Sequence, residues 1–385
     1  MLQYKLQIPG KVFSGHDALM NLPGILEQNR VERPVIITDK GIRRAGLLDI
    51  VLSKIVDIGL SPVILDDLPP EPTYGQVQLL VDACRHEKAD FIIALGGGSV
   101  MDTAKLASIL INNAYSVRDL LEGKAQVSKG CRTLMIPTTA GTGAEATPNA
   151  IVAVPEKELK VGIVNPEMIA DYVILDAGMI KNLPRKIAAA TGLDALTHAV
   201  ECFTSNKANP FSDLFALQAL DMILNNIEKA CDNPDDMAAK ENMILASFYA
   251  GVAITASGTT AVHALSYPLG GKYHIPHGIS NAILLVPVMR FNEPCCRNRL
   301  AEAYDRCCKE KERLVSVEEK SAWMIRRMEQ IVRHLDIPSD LNEYGVTDRD
   351  LDDLVNAGMQ VTRLLSNNMR PVTAEDARAI YKKIL

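Results

Sequence analysis

The sequence predicts an α/β domain built on a mostly parallel sheet, followed by an all-helical domain. Three observations predict it. Short apolar runs alternate with helical stretches through the first half, the alternation stops near residue 180, and every patterned segment beyond that point has helical spacing. We place the α/β domain over residues 1–180 and the helical domain over 181–385.

The runs PVIITD (34–39), SPVILDD (61–67), ADFIIALGGG (89–98) and CRTLMIPTT (131–139) are apolar and end in turn residues, as buried parallel strands do. Between them, YGQVQLLVDACRHEK (74–88) and TAKLASILINN (103–113) carry helical spacing. AIVAVP and YVILD read as a small peripheral β feature. After LDAGMIKNLPRK the helices begin, among them ASFYAGVAITAS, SAWMIRRMEQIVRHL and DLDDLVNAGMQVTRLL. Thr347 with Asp350, and Thr373 with Asp376, each set an acid three residues after a hydroxyl, which marks a helix start.

A chain of 385 residues has room for two cores, and 48% hydrophobic with 23% charged residues is an ordinary globular balance. A net charge of −6 argues against a reader of nucleic-acid backbone. The start MLQYKLQIPGKVFSG lacks the apolar core of a signal peptide, and runs such as NAILLVPVM fall well short of the ~20 residues that span a bilayer. The expectation is a cytoplasmic protein with no membrane or nucleic-acid partner. The doublets Cys295-Cys296 and Cys307-Cys308 read as one helix, which would hold them roughly 17 Å apart, too far to chelate one ion. They are expected to be reduced thiols.

The strongest signal in the first half is FIIALGGGSVMDTAKLAS, where a buried strand meets three glycines and a helix opening at Ser99, with Asp102 in capping-box position. Gly97 and Gly98 would let a phosphate approach the free N–H groups of the helix start. The plainer alternative is a tight turn that needs positive φ. The run is not G-x-G-x-x-G, so Asp39, closing PVIITD, is the candidate ribose acceptor, and its charge would favour NAD over NADP. A second loop, PTTAGTGAEAT (137–147), adds the hydroxyls of Thr138, Thr139 and Thr142 with Gly141 and Gly143.

In GLDALTHAVECFTS, Asp194 and His198 share one helical face, a spacing that suits a divalent ion and equally a solvated Asp–His pair. VHALSYPLGGKYHIPHG (262–278) holds three of the seven histidines. A chain reversal through LGGKYHIP would bring His263 and His277 to one point. With Asp194 and His198 they would form a carboxylate-and-imidazole set suited to Fe²⁺ or Zn²⁺ rather than Ca²⁺ or Mg²⁺. His274 is the odd one out, lining a cleft or serving structure.

These motifs, with GKVFSG, TDKGIRRAG, IPTTAGTGAE and PHGISNA, resemble in order the iron-containing (group III) alcohol dehydrogenase family, which includes lactaldehyde reductases and 1,3-propanediol dehydrogenases. The resemblance implies a dehydroquinate synthase-like architecture: an N-terminal NAD-binding α/β domain and a C-terminal helical domain that binds metal and carries catalysis. It implies Asp194, His198, His263 and His277 as metal ligands for Fe²⁺, with Zn²⁺ as the other candidate. Gly97, Gly98, Ser99 and Asp102 would line the dinucleotide, with Thr138, Thr139, Thr142 and Lys160 nearby. Three positions depart from the family habit: Tyr267 replaces a histidine, Ala144 a serine in the second loop, and Glu71 an asparagine.

The implied activity is reversible hydride transfer between NAD(H) and a small primary alcohol or aldehyde, in a homo-oligomer that is a dimer or larger. Tyr267 and His274 are the candidate proton-relay side chains. The alternatives are a glycerol dehydrogenase-like polyol enzyme, a hydroxyacid–oxoacid transhydrogenase, and a nucleotide- or metal-binding protein without catalysis.

Overall fold

Among the described residues, eight strands of the first unit sort into two sheets. In the computed structural model, which describes residues 3–157, 159–310 and 313–385, the strands are β1 (Lys11–Ser14), β2 (Pro34–Ile37), β3 (Val63–Leu65), β4 (Phe91–Gly96), β5 (Arg132–Pro137), β6 (Asn149–Val154), β7 (Leu159–Val164) and β8 (Tyr172–Leu175). Six form one sheet in the order β1-β8-β5-β4-β2-β3, with every neighbouring pair parallel. β6 and β7 pair as an antiparallel hairpin. The inner strands β2, β4 and β8 are buried at every position, so they read as unbroken apolar runs rather than alternating ones.

The peripheral reading holds for AIVAVP, which lies in the hairpin, and fails for YVILD. The latter supplies β8, seated between β1 and β5 with Tyr172 opposite Lys11 and Leu134. Four buried residues show no period that separates a central strand from a stray one. β1, whose sequence KVFS is an edge strand with three of its four positions exposed, carries no apolar run at all.

The glycine loop also differs in detail. The helix Gly98–Leu110 begins one residue before Ser99, its N-cap is Gly97, and no side chain caps it. With Gly97 as the cap, the capping-box position falls on Val100, so Asp102 lies too far along the helix to serve. Its carboxylate pairs with Lys105 Nζ at 2.7 Å and accepts from Ile151 N at 2.9 Å. Lys105, fully buried, also donates to the carbonyls of Ala144 at 2.9 Å and of Asn149. One buried ion pair thus ties this helix to the second glycine-bearing loop and to the hairpin.

None of Gly96, Gly97 and Gly98 has positive φ. A tight left-handed turn is therefore not what these glycines provide. A Cβ on Gly96 would lie 2.6 Å from Val100 Cγ2, and one on Gly98 would lie 3.0 Å from Thr142 Cγ2. Gly96 leaves room for Val100 of its own turn, and Gly98 lets Thr142 of the second loop approach.

The second unit runs through Pro184–Leu385 and is helical. Its principal helices are Arg185–Phe203, Pro210–Asp232, Met237–Ser257, Ala261–Tyr273, His277–Cys307 and Val317–His334. Ala261–Tyr273 continues straight through LGGKY, so the chain reverses only at His274–Pro276, a tighter reversal than LGGKYHIP suggested. DLDDLVNAGMQVTRLL divides into Leu351–Met359 and Thr362–Leu365. The capping boxes at Thr347 and Thr373 both form. All eight cysteines are free, and burial pushes the Cys296 and Cys307 thiols up to about 12. No single helix among the described residues is long and apolar enough to cross a membrane. The bent pair Met237–Ser257 and Ala261–Tyr273 matches only by length and composition.

Gly278 sets how closely two of these helices pack. A Cβ there would come within 2.2 Å of the Ala190 carbonyl oxygen, a backbone atom of Arg185–Phe203 that cannot swing aside. Gly278→Ala is therefore expected to destabilise this unit by about 3 kcal/mol, read by chemical denaturation. A loss below about 1 kcal/mol would show that the two helices separate without strain.

Candidate metal centre and dinucleotide site

Three helices of the second unit each bring a ligand atom to one place. Asp194 and His198 lie one turn apart in the middle of Arg185–Phe203, His263 lies in the first turn of Ala261–Tyr273, and His277 opens His277–Cys307. The ligand atoms of Asp194, His263 and His277 all lie within 4.8 Å of one another. Asp194 Oδ1 is 3.7 Å from His263 Nε2, 3.7 Å from His277 Nε2 and 3.9 Å from His198 Nε2. A tetrahedral ion with bonds of ~2.1 Å has ligand–ligand edges of roughly 3.4 Å, close to these separations. The His198 ring stacks on His263 with centroids 4.5 Å apart.

The donor set fits a cation on a second observation. Asn281, one turn after His277, points its Nδ2 at the same place, 2.7 Å from Asp194 Oδ1, 3.1 Å from His263 Nε2 and 3.2 Å from His277 Nε2. Asp194 Oδ1 only accepts, so the atom facing it is the amide nitrogen. When the imidazoles are neutral, three lone pairs converge on one positively polarised group, as they would on a metal ion. One carboxylate with imidazoles suits Fe²⁺ or Zn²⁺. Asp194, His198 and His263 are buried, whereas the His277 side chain is 32% exposed, so the site opens on the His277 side.

Burial alone would raise the Asp194 carboxyl, but the charges of His198, His277 and His263 reverse that and hold it well below the usual carboxylate range. Burial likewise disfavours the charged form of His263. The Glu201 carboxylate, with Asp194, overrides it and raises the imidazole to about 9. Glu201 was not anticipated from the sequence. It is fully buried, and its Oε2 lies 2.5 Å from His263 Nδ1. Its signal was present in THAVECF: Glu201 lies seven residues after Asp194, two turns along the same face. Asn281 repeats that logic at i+4 from His277.

Tyr267 is half-buried, with its ring centroid 6.2 Å from that of His277. His274 is exposed, at φ 54°, and ends Ala261–Tyr273 by donating its backbone N–H to the Leu269 carbonyl. This gives the His274 backbone a structural role at the turn.

In the first unit, a cavity of about 990 Å³ is lined by Asp39, Gly97, Gly98 and Ser99, with Lys40, Arg44 and the apolar Leu68, Leu79 and Leu80. Asp39 Oδ1 caps the helix Lys40–Arg44, accepting from Gly41 N at 2.7 Å and Ile42 N at 3.0 Å. Thr142 packs on Gly98 and Thr139 on Gly97, while Thr138 N donates to the Gly96 carbonyl at 3.0 Å. Asp102 and Lys160 do not line this cavity. Asp102 is engaged with Lys105 and Ile151, and Lys160 Nζ pairs with Glu71 Oε1 at 2.5 Å.

Residues 9–177 match the family described as iron-containing alcohol dehydrogenase, and residues 188–385 match the C-terminal part of the same family. The chain belongs to the iron-containing alcohol dehydrogenase family. It is 35% identical over 371 residues to long-chain-alcohol dehydrogenase 1 of Geobacillus thermodenitrificans (strain NG80-2), covering 96% of this chain and 93% of that protein. Its fold superposes on the crystal structure of a 1,3-propanediol oxidoreductase with a TM-score of 0.93 at 27% identity, each chain covered in full. Sulfoacetaldehyde reductase from Bifidobacterium kashiwanohense, solved in complex with NAD⁺, superposes with a TM-score of 0.89 at 26% identity, covering 100% of this chain and 99% of that one. Membership makes the protein an oxidoreductase of the alcohol dehydrogenase type.

In a metal-binding member of this family, a proton, the Asn281 amide and a cation compete for one lone pair on His263. The folded imidazole is raised from 6.5 to about 9, so the proton holds that lone pair below about 9 and leaves it above. Apparent Zn²⁺ affinity is therefore expected to strengthen by about tenfold per pH unit from 6.5 towards 9 and to level off beyond. Competition with a chelator across that range measures it, and a flat profile would contradict the raised imidazole.

Proposed function

We propose that this protein moves a hydride reversibly between NAD(H) and a small primary alcohol or aldehyde, using a divalent iron or zinc ion held by Asp194, His198, His263 and His277. The observation that carries the reading is the convergence of Asp194 Oδ1 with His263 Nε2 and His277 Nε2 on one partly open point. His198 lies outside that mutual group, its Nε2 3.9 Å from Asp194 Oδ1, and is included as the second residue of the same helical face. When bound, the metal supplies a Lewis acid for the C–O group and the nicotinamide supplies or accepts the hydride.

The chain's own residues do the rest. Asp194 gives the site its anionic ligand, and burial keeps water from screening it. Tyr267, beside the exposed side of His277, is proposed to pass the alcohol's proton, a phenol doing the work of the family's usual imidazole. His274 stays in the reading only as a residue at the turn. Gly97, Gly98 and Ser99 offer the uncapped N-terminus of Gly98–Leu110 to the dinucleotide phosphates. The free oxygen of Asp39 accepts from the ribose and disfavours a 2′-phosphate. Thr138, Thr139 and Thr142 shape the adjoining loop, and Asp102 and Lys160 are proposed to support the site from behind.

NADH oxidation by metal-stripped protein, with Fe²⁺ or Zn²⁺ restored anaerobically, tests this across short aldehydes. Turnover is expected only with metal and faster with NADH than NADPH. Asp194→Ala should lose metal and more than about 10³-fold of the rate, and Tyr267→Phe should slow turnover without loss of metal. Full metal content and rate in Asp194→Ala would refute the ligand assignment. Turnover between two substrates without added NAD(H) would favour a transhydrogenase instead.

With this activity we propose a cytoplasmic homo-oligomer, a dimer or larger. Light scattering on the purified protein should give at least twice the chain mass, and a monomer mass would overturn the assembly.

A further inference from the structure

We propose that Glu201 is the positioning residue of the metal centre, fixing His263 in the tautomer that presents Nε2 to the metal. The inference rests on the metal reading above and adds a residue that touches neither metal nor substrate.

The geometry is closed on both sides of the imidazole. Glu201 Oε1 accepts from Thr260 Oγ1 at 2.6 Å and from Val262 N at 2.6 Å, and Oε2 faces His263 Nδ1 at 2.5 Å. The Glu201 side chain is 1% exposed and that of His263 3%. An ionised carboxylate only accepts, so Nδ1 carries the proton, and in the neutral ring Nε2 then carries the lone pair. Asn281 gives the same assignment from the opposite edge, because its amide donates towards Nε2 at 3.1 Å. Two neighbours of known polarity thus fix one tautomer.

The carboxylate is itself held. Thr260 precedes Ala261–Tyr273 and makes no side-chain cap of its own, while Val262 lies in that helix's first turn. Glu201, reaching across from Arg185–Phe203, takes over the capping and the orienting in one group. A carboxylate behind a metal-binding histidine makes the ring more basic and fixes its direction, and loss of such a partner weakens metal binding 10–100-fold.

Glu201→Gln separates these roles. The glutamine oxygen must stay on the donors Thr260 and Val262, which turns its NH₂ towards Nδ1. Nδ1 then has to accept, and the proton moves to Nε2, where the metal would bind. Zn²⁺ affinity, measured at one pH by competition with a chromophoric chelator, is expected to fall 10–100-fold in Glu201→Gln.

Unchanged Zn²⁺ affinity in Glu201→Gln, with or without lower stability, would reduce Glu201 to a helix cap and overturn the proposal. Failure of the wild type to bind Zn²⁺ would overturn the metal reading itself, and this proposal with it. Should Glu201→Gln not fold, the Zn²⁺-loaded wild type labelled with ¹⁵N-histidine decides. His263 is expected to show a protonated Nδ1 shifted far downfield, and a bare Nδ1 would overturn the assignment.

Discussion

An ionised carboxylate, Asp194, lies almost wholly buried inside a bundle of helices, and the surrounding helices are arranged to make that tolerable. Left alone, such a charge would cost several kcal/mol and would protonate instead. Here it is met by three imidazoles and the Asn281 amide, each from a different turn of a different or neighbouring helix. Meeting it requires His277–Cys307 to run against Arg185–Phe203 at backbone distance, which only a glycine at 278 permits. It also requires the reversal at His274–Pro276 to be short, because His263 and His277 must return to one point across it.

The first unit solves a different problem, the close approach of two loops. Gly98 is needed for the space it leaves, not for an unusual φ, and Thr142 fills part of that space. Behind them, the Asp102–Lys105 pair fastens the helix to Ala144 and to the β6–β7 hairpin. A buried cation joining a helix to loop carbonyls is costly to lose, since it leaves acceptors and a charge unmatched together. The loop region is therefore held from beneath while its upper surface, Gly97 to Ser99, lines the cavity.

What the sequence revealed follows from how each feature is encoded. β4 and β5 are legible because the apolar runs FIIAL and LMI end in turn residues, and the pairing of Asp194 with His198 because they share a face at i+4. β8 is half-legible, since four buried residues have no period to set against a neighbour. Asp102 misled because a hydroxyl followed by an acid is a local pattern, whereas the cap is fixed by where the helix begins, at Gly97. Lys160 and Glu71 are 89 residues apart, and their ion pair has no local signature. Glu201 was readable in principle, two turns beyond Asp194, but a buried acid at i+7 becomes meaningful only once its partner on another helix is known.

The two carboxylates on Arg185–Phe203 make sense together. His263 and His277 both sit in the first turn of their helices, whose N-termini carry partial positive charge. Two such ends directed at a cation would repel it. Asp194 faces the ion's position directly, and Glu201 sits behind His263 with its charge against the start of Ala261–Tyr273. Two anions balance one divalent cation when the imidazoles are neutral, so the centre closes without net charge inside an apolar bundle. That balance would need the second carboxylate as much as the first, although only Asp194 faces the proposed ion position.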